Sequence, residues 1–129
     1  MKNTVKEFIE EHINLIDTEN WSEFCSLIWS WLQPNEAKEL VQVLKDSGIE
    51  FDSARRDYFN FVLTMQFEGA RDQGVKRITI QRFLAVYGGN KLGFSDDEVI
   101  NILLEDQSEF DIHIADDSYS YIDQTIFLE

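Results

Sequence analysis

The two histidines and the single cysteine are the side chains of this sequence best suited to metal binding or nucleophilic chemistry. His12 and His113 lie near opposite ends of the chain, and no cysteine stands close to either. Structural zinc sites combine Cys and His at short spacings, so the sequence predicts no zinc site. Cys25 follows Trp21 and Phe24 on an apolar stretch without a neighbouring base, which is typical of a small buried hydrophobic residue. We therefore expect no metal, no cofactor and no catalytic residue, and we classify the chain as a non-enzyme.

Carboxylates are the abundant ionisable groups, and they are distributed unevenly. The chain of 129 residues has 25 Asp and Glu against 11 Lys and Arg, which gives a net charge of −14. Residues 1–50 carry −6 and residues 51–93 carry +3, whereas residues 94–129 hold eleven acids and no base. A surface of one sign repels itself and costs stability. A basic partner that covers the surface would remove this cost, and solubility alone is the competing explanation.

The acidic C-terminal segment also has the pattern of folded structure. Ser95 and Glu98 have capping-box spacing, which predicts a helix from Asp96 to about Ser108. The alternating stretch FDIHIA then predicts a strand, DDS a turn, and YSYIDQTIFL one or two return strands. We predict that partner-binding side chains lie on this helix and hairpin; they are Asp97, Glu105, Asp106, Asp111, Asp116, Asp117, Tyr119 and Tyr121.

Carboxylates spaced along rigid elements can imitate the charges of a phosphate backbone and compete for a basic cleft. Complementary potentials raise the association rate and fix the orientation of the complex. Each exposed ion pair contributes only about 0–1 kcal/mol, so affinity also requires side chains that become buried. Tyr119 and Tyr121 in the hairpin are the expected anchors.

The elements that must hold this surface begin with a helical N-terminal part. Apolar spacings of three, four and seven residues predict helices over residues 4–16 and 19–32, from Pro34 to the turn at Gly48, and from about Asp52. We expect the tryptophans of the second helix to lie in the core, with Tyr58, Phe61, Val62 and Met65 of the fourth helix. The expected fold is mostly α, of the α+β class, in a single domain of residues 1–129. It combines a bundle of about four helices in residues 1–73 with a C-terminal helix pair and a small antiparallel hairpin or sheet in residues 74–129.

The order short strand, helix, turn, capped helix and hairpin between Arg77 and Glu129 resembles the winged-helix arrangement, a relative of the helix-turn-helix. The resemblance rests on element order, without a signature motif. In that family the second helix of the pair usually enters the DNA major groove, and its counterpart here is 96–108. This helix carries five carboxylates and no base, whereas phosphate contacts need Lys and Arg. The departure argues against direct nucleic-acid binding through this surface.

These patterns predict a small acidic protein that docks a carboxylate-rich face onto a basic protein surface. An inhibitor or immunity protein, or an anti-defence protein that mimics nucleic acid, would act in this way, and the partner would handle DNA or RNA. Two alternatives stay open. A structural or accessory module in a larger assembly would expose Trp29 or Phe59 in an apolar patch. A nucleic-acid binder would use the basic cluster within residues 55–91.

The sequence has no apolar run of the length that a membrane span needs, and its N-terminal stretch MKNTVKEFIEEH is charged. We therefore expect no membrane association and a cytoplasmic location. The opposite charges of residues 51–93 and 94–129 also leave a homo-oligomer open, in which the two segments pair between copies.

Overall fold

The computed structural model describes residues 4–16, 19–87, 91–115 and 124–128. The helices are α1 (Val5–Glu11), α2 (Trp21–Trp31), α3 (Pro34–Asp46), α4 (Asp52–Asp72), α5 (Ile80–Tyr87), α6 (Asp96–Glu105) and α7 (Gln107–Phe110), with a 3₁₀ turn at Ile13–Leu15. The strands are β1 (Arg77–Thr79), β2 (Ile112–Ile114) and β3 (Thr125–Leu128). The predicted class, mostly helical with a small antiparallel sheet, is confirmed.

Contacts divide the chain into two compact units. The first comprises Met1–Phe59 and Asn90–Gly93, and the second comprises Asn60–Gly89 and Phe94–Glu129. The division falls within α4, so that this helix contributes residues to both units. None of the helices in the described part of the chain is both long and apolar enough to span a membrane.

The first unit is built on amphipathic helices with well-defined ends. Thr4 begins α1 by accepting a hydrogen bond from the Glu7 amide. Pro34 is the first residue of α3, and the Gln33 amide before it donates to the Glu36 carboxylate at 3.0 Å in a capping box. Its buried side chains include Phe8, Phe24, Ile28, Leu40 and Leu44. Next to Phe24, the rings of Trp21 and Phe51 lie 4.9 Å apart between centroids. Burial of these large side chains supplies most of the unit's stabilisation.

Two expectations about the first unit are wrong. Trp31 was expected in the core, but 65 % of its surface is exposed. The predicted first helix over 4–16 is shorter, because α1 ends at Glu11 and the 3₁₀ turn follows. His12 stands at this junction, where its Nδ1 lies 2.9 Å from the Phe8 carbonyl oxygen.

The second unit contains the three-stranded sheet, in the order β1-β3-β2, with both pairs antiparallel. Ile126 of the central strand pairs with Ile78 and Ile114 and is fully buried. A buried aromatic cluster accompanies the sheet, since the Phe67 ring stacks on Phe83 at 4.9 Å and meets Phe110 at 5.5 Å between centroids. The alternation of FDIHIA is confirmed, because its apolar side chains are buried while Asp111 and His113 are exposed.

The inward face predicted for α4 is wrong at two positions. Phe61 is 57 % exposed and Met65 is 49 % exposed. Instead the helix buries Phe59, Val62, Leu63, Phe67 and Ala70, a second apolar stripe that overlaps the first in sequence. The predicted helix to about Ser108 is also divided, because α6 ends at Glu105 and α7 begins at Gln107.

Candidate docking surface

Helix α6 is a fixed platform for outward carboxylates. The Ser95 hydroxyl accepts a hydrogen bond from the Glu98 amide, and the Glu98 carboxylate accepts one from the Ser95 amide at 2.9 Å. This capping box and the first-turn acids both favour the helix, because carboxylates interact well with the positive end of its dipole. The apolar face, formed by Val99, Ile100, Ile102 and Leu103, is buried. The opposite face, which bears Asp97, Asn101 and Glu105, is therefore directed to solvent.

The junction of α6 and α7 is tied to α4 by one amide. The Asn60 Nδ2 donates to the Asp106 carboxylate at 2.9 Å and to the Glu109 carboxylate at 3.2 Å. Asn60 is buried, whereas Asp106 is half-buried and Glu109 is exposed. The amide therefore holds two negative charges side by side at the edge of the unit.

The connection from α7 to β2 is fixed by side chains that bind backbone groups. The Arg71 guanidinium donates to the carbonyl oxygens of Phe110 and, at 2.7 Å, of Asp111. Asp111 ends α7 in the left-handed conformation, with φ of 54°. Gln107 accepts a hydrogen bond from the Ile114 amide at 2.9 Å. These contacts hold the backbone that carries the exposed Asp111 side chain.

The acidic C-terminal segment keeps its charges at the surface. Within 94–115 and 124–128 it has seven carboxylates, of which six are exposed and one, Asp106, is half-buried. Asp97 and Glu105 share the solvent face of α6, and Asp106 meets Glu109 at Asn60. The predicted binding residues Asp116, Asp117, Tyr119 and Tyr121 lie outside the described residues.

An exposed apolar pair lies on the same unit as these carboxylates. Phe61 and Met65 are one helical turn apart on α4, and Glu68 and Asp72 continue the exposed stripe. Asn60 stands next to Phe61 in the helix and contacts the α6–α7 junction. The apolar pair therefore has acidic neighbours on its own helix and lies on the same unit as the junction carboxylates. Sequence reasoning missed it because both side chains also fit an inward stripe.

The basic cluster within residues 55–91 is partly withdrawn from the surface. Arg55 is only 6 % exposed, and it donates to the Leu92 carbonyl and forms an ion pair with Asp52 at 3.0 Å. Arg71 is half-buried and binds the two carbonyl oxygens at the end of α7. The exposed cations among the described residues of this range are Lys76, Arg77 and Arg82.

Cys25 has the environment of a core residue. Its side chain is fully buried, and burial raises the pKa of the thiol to about 12, an effect that the positive charge of Arg55 partly opposes. A thiol with this pKa is a poor nucleophile because the thiolate is the reactive form. Across the described ranges, no group of three or more His, Cys, Asp or Glu side chains is placed to hold a metal ion.

Trp29 and Phe59, the residues that an accessory module would expose, are both largely withdrawn from solvent. Phe59 is 2 % exposed and Trp29 is half-buried, so neither has the exposure that an accessory module would require of Trp29 or Phe59. Trp31 is the exposed tryptophan.

No protein-family model, no curated protein and no solved structure matches this chain. Its function is therefore inferred from the geometry and charge of the described residues.

Proposed function

We propose that this chain is a small, cytoplasmic, non-catalytic binding protein that docks the carboxylate-rich surface of its second unit onto a basic protein surface. The observation that carries the proposal is the outward placement of the seven described carboxylates of the C-terminal segment, none of which is buried. Helix capping, Asn60 and Arg71 fix the elements that bear them. A prearranged set of charges loses little conformational freedom on binding, which favours a specific complex.

The spacing of the α6 carboxylates suits a partner that handles nucleic acid. Asp97 and Glu105 are eight residues apart on one helix, a separation of about 12 Å along its axis at 1.5 Å per residue. This distance is about the rise of three to four nucleotides along one DNA strand. A cleft lined by Lys and Arg for a phosphate backbone could accept such a row, and complementary charge would speed the encounter.

Charge alone would give a weak complex, and Phe61 and Met65 supply the apolar component. Both are about half exposed, and full burial of a side chain of this size contributes about 1.5–3 kcal/mol. Covering the remaining exposed half of each would therefore contribute about 1 kcal/mol per residue. These two residues are the anchors that we propose within the described chain, and Tyr119 and Tyr121 stay predicted anchors in the hairpin.

We also propose that the second unit is winged-helix-like. Support comes from the order β1, α5, α6, α7, β2, β3, in which α7 is a single short turn, and from the central place of β3 in the sheet. In this arrangement α6 takes the position of the DNA-reading helix, and its solvent face carries Asp97 and Glu105 instead of cations. The surface that reads DNA in that family would here bind a protein that itself binds DNA or RNA.

An accessory module in a larger assembly is the second candidate, and the exposure of Trp31 favours it. Exposed tryptophan is enriched at binding hot spots. Trp31→Ala would abolish binding to the native partner if this function is correct. The same variant would leave binding unchanged if the carboxylates of the second unit make the contact.

The experiment begins with purification of the tagged chain from its native host and identification of the proteins that accompany it. Affinity for the purified partner is then measured across a salt series from about 50 mM to 200 mM, where exposed charges become progressively screened. We expect affinity to fall steadily as salt rises, because exposed carboxylates make the contact. Affinity that is independent of ionic strength would rule out electrostatic docking.

A further inference from the structure

The outer face of the sheet differs in composition from the rest of this acidic protein. Arg77, Phe127 and His113 are paired across the three strands and form one row, with Phe127 on the central strand. All three are exposed, Phe127 by 37 %. The alternate side chains Ile112, Ile114 and Ile126 are buried on the opposite face. The row is therefore directed away from the core of the second unit.

The next row on this face carries no charge, and the exposed carboxylate of Asp111 lies two residues before His113, just outside β2. Thr79 pairs with Thr125 in the next row, and the Ala115 amide donates to the Thr125 carbonyl at 2.9 Å. The exposed Lys76 precedes β1 and is a second cation next to Arg77 in the chain. In a chain with a net charge of −14, a row that combines an arginine, an aromatic ring and a histidine is a distinct local environment.

The row suits a ligand that combines a planar aromatic group with an anionic group. The His113 and Phe127 rings are stacked at an interplanar angle of 29° with centroids 6.4 Å apart, so the two rings form one aromatic surface. Arg77 flanks the same ring from the opposite strand, at the inter-strand spacing of about 4.8 Å. A nucleic-acid base stacks on an aromatic ring, and the adjacent phosphate pairs with a guanidinium.

We infer that this row, Arg77, Phe127 and His113, is a binding site for a short single strand of nucleic acid. Single strands fit because their bases are free to stack, whereas duplex bases are already stacked on each other. Three positions accommodate about one or two nucleotides, and carboxylates elsewhere on the chain repel a longer polyanion. Binding is therefore weak and local. The inference is independent of the docking proposal, since it uses different residues and a different ligand.

The test uses the full chain labelled with ¹⁵N and unlabelled hexathymidylate at about 50 mM salt, where phosphate contacts are strong. We expect the amide signals of β1, β2 and β3 to shift, with the largest changes around the row. Phe127→Val removes the ring and keeps a β-branched strand residue, and it should weaken binding by about 5- to 100-fold, as loss of one stacking contact does. Phe127→Trp keeps a stacking surface and should retain binding.

A matched pair of charge variants separates the row from general attraction. Arg77→Gln and Arg82→Gln remove the same charge from two exposed arginines of the second unit, and only Arg77→Gln should weaken binding substantially. Equal losses in the two variants, or no shift with hexathymidylate, would overturn the inference. Shifts of the row that depend on protein concentration without oligonucleotide would also overturn it, since a second copy would then cover the face. If Phe127→Val fails to fold, the comparison of Arg77→Gln with Arg82→Gln and the result for Phe127→Trp still test the inference.

Discussion

Replacement of Asn60 should show how strongly the α6–α7 junction is held. Its Nδ2 donates to Asp106 at 2.9 Å and to Glu109 at 3.2 Å, and the side chain is buried. Asn60→Ala removes both hydrogen bonds and leaves two carboxylates without the donor between them. Asn60→Asp keeps the shape of the side chain but places a third carboxylate at the same point.

The expected loss of unfolding free energy follows from the two hydrogen bonds of Asn60 and from the repulsion between the carboxylates that they offset. A hydrogen bond to a charged group contributes about 1.5–3 kcal/mol, and we take the lower value for half-buried Asp106 and about 0.5 kcal/mol for exposed Glu109. Alanine regains about 0.5 kcal/mol through its higher helix propensity. Asn60→Ala should therefore lower the free energy of unfolding by about 1.5–2 kcal/mol. Asn60→Asp should cost more, because the added charge repels both neighbours.

The assay is urea unfolding of the full chain at neutral pH, repeated at low and high salt. Asn101→Ala is the matched control, because Asn101 is exposed on α6 and substitutions at such sites usually change stability by less than about 0.5 kcal/mol. Added salt should recover part of the loss in Asn60→Asp, since it screens like charges. Equal stability of Asn60→Ala and Asn101→Ala would show that the amide does not hold the junction.

Three further substitutions or reactions test separate features of the structure. Ser95→Ala should cost about 1 kcal/mol of unfolding free energy, because the hydroxyl caps α6; unchanged stability in urea would contradict this. Gly93→Ala should cost about 1–3 kcal/mol, because φ is +81° and the new Cβ would lie 3.0 Å from the Ala37 oxygen; an unchanged melting temperature would contradict it. Cys25, with its pKa raised to about 12, should react with a thiol reagent near pH 8 only after unfolding, so rapid reaction of the native protein would contradict its burial.

Local signals predicted the start of α6 but not its end. The Ser95–Glu98 pair gives the capping box at the predicted position. The helix ends before Asp106, whose carboxylate accepts a hydrogen bond from Asn60, a residue 46 positions earlier in the chain. A contact over that separation leaves no local periodicity in the sequence. The apolar pattern therefore predicts one continuous helix to Ser108.

Helix α4 shows why spacing alone can choose the wrong face. Phe61 and Met65 fit one apolar stripe, while Phe59, Leu63 and Phe67 fit another on the same helix. Only the second is buried. Both stripes satisfy the three-to-four-residue period, and the choice between them depends on the surrounding tertiary packing. Phe61 and Met65 were recognised as a binding feature only from their exposure in the structure.

The sequence predicted the part of the candidate surface that depends on helix periodicity, but not the part that depends on contacts between distant residues. Asp97 and Glu105 were expected on the polar face of one helix, and both are exposed there. Glu109 was missed because its hydrogen bond comes from Asn60, 49 positions away. Arg55 and Arg71 counted toward a basic surface in sequence, but one is buried and the other binds carbonyl oxygens. Charge along a sequence therefore indicates composition, whereas hydrogen-bond partners decide which charges reach the surface.

Docking is tested most sharply by reversing charge on α6 and measuring affinity for the partner purified from the native host. The double variant Asp97→Lys with Glu105→Lys changes two exposed positions, and Asp106 is left intact because it is bonded to Asn60. Glu23→Lys with Glu39→Lys makes the same change in net charge at exposed positions of the first unit. Circular dichroism would verify that both variants are folded. We predict that the α6 variant weakens binding by at least about tenfold, or about 1.4 kcal/mol, while the control stays close to the parent chain. Equal affinities of the two variants would contradict a docking surface on α6.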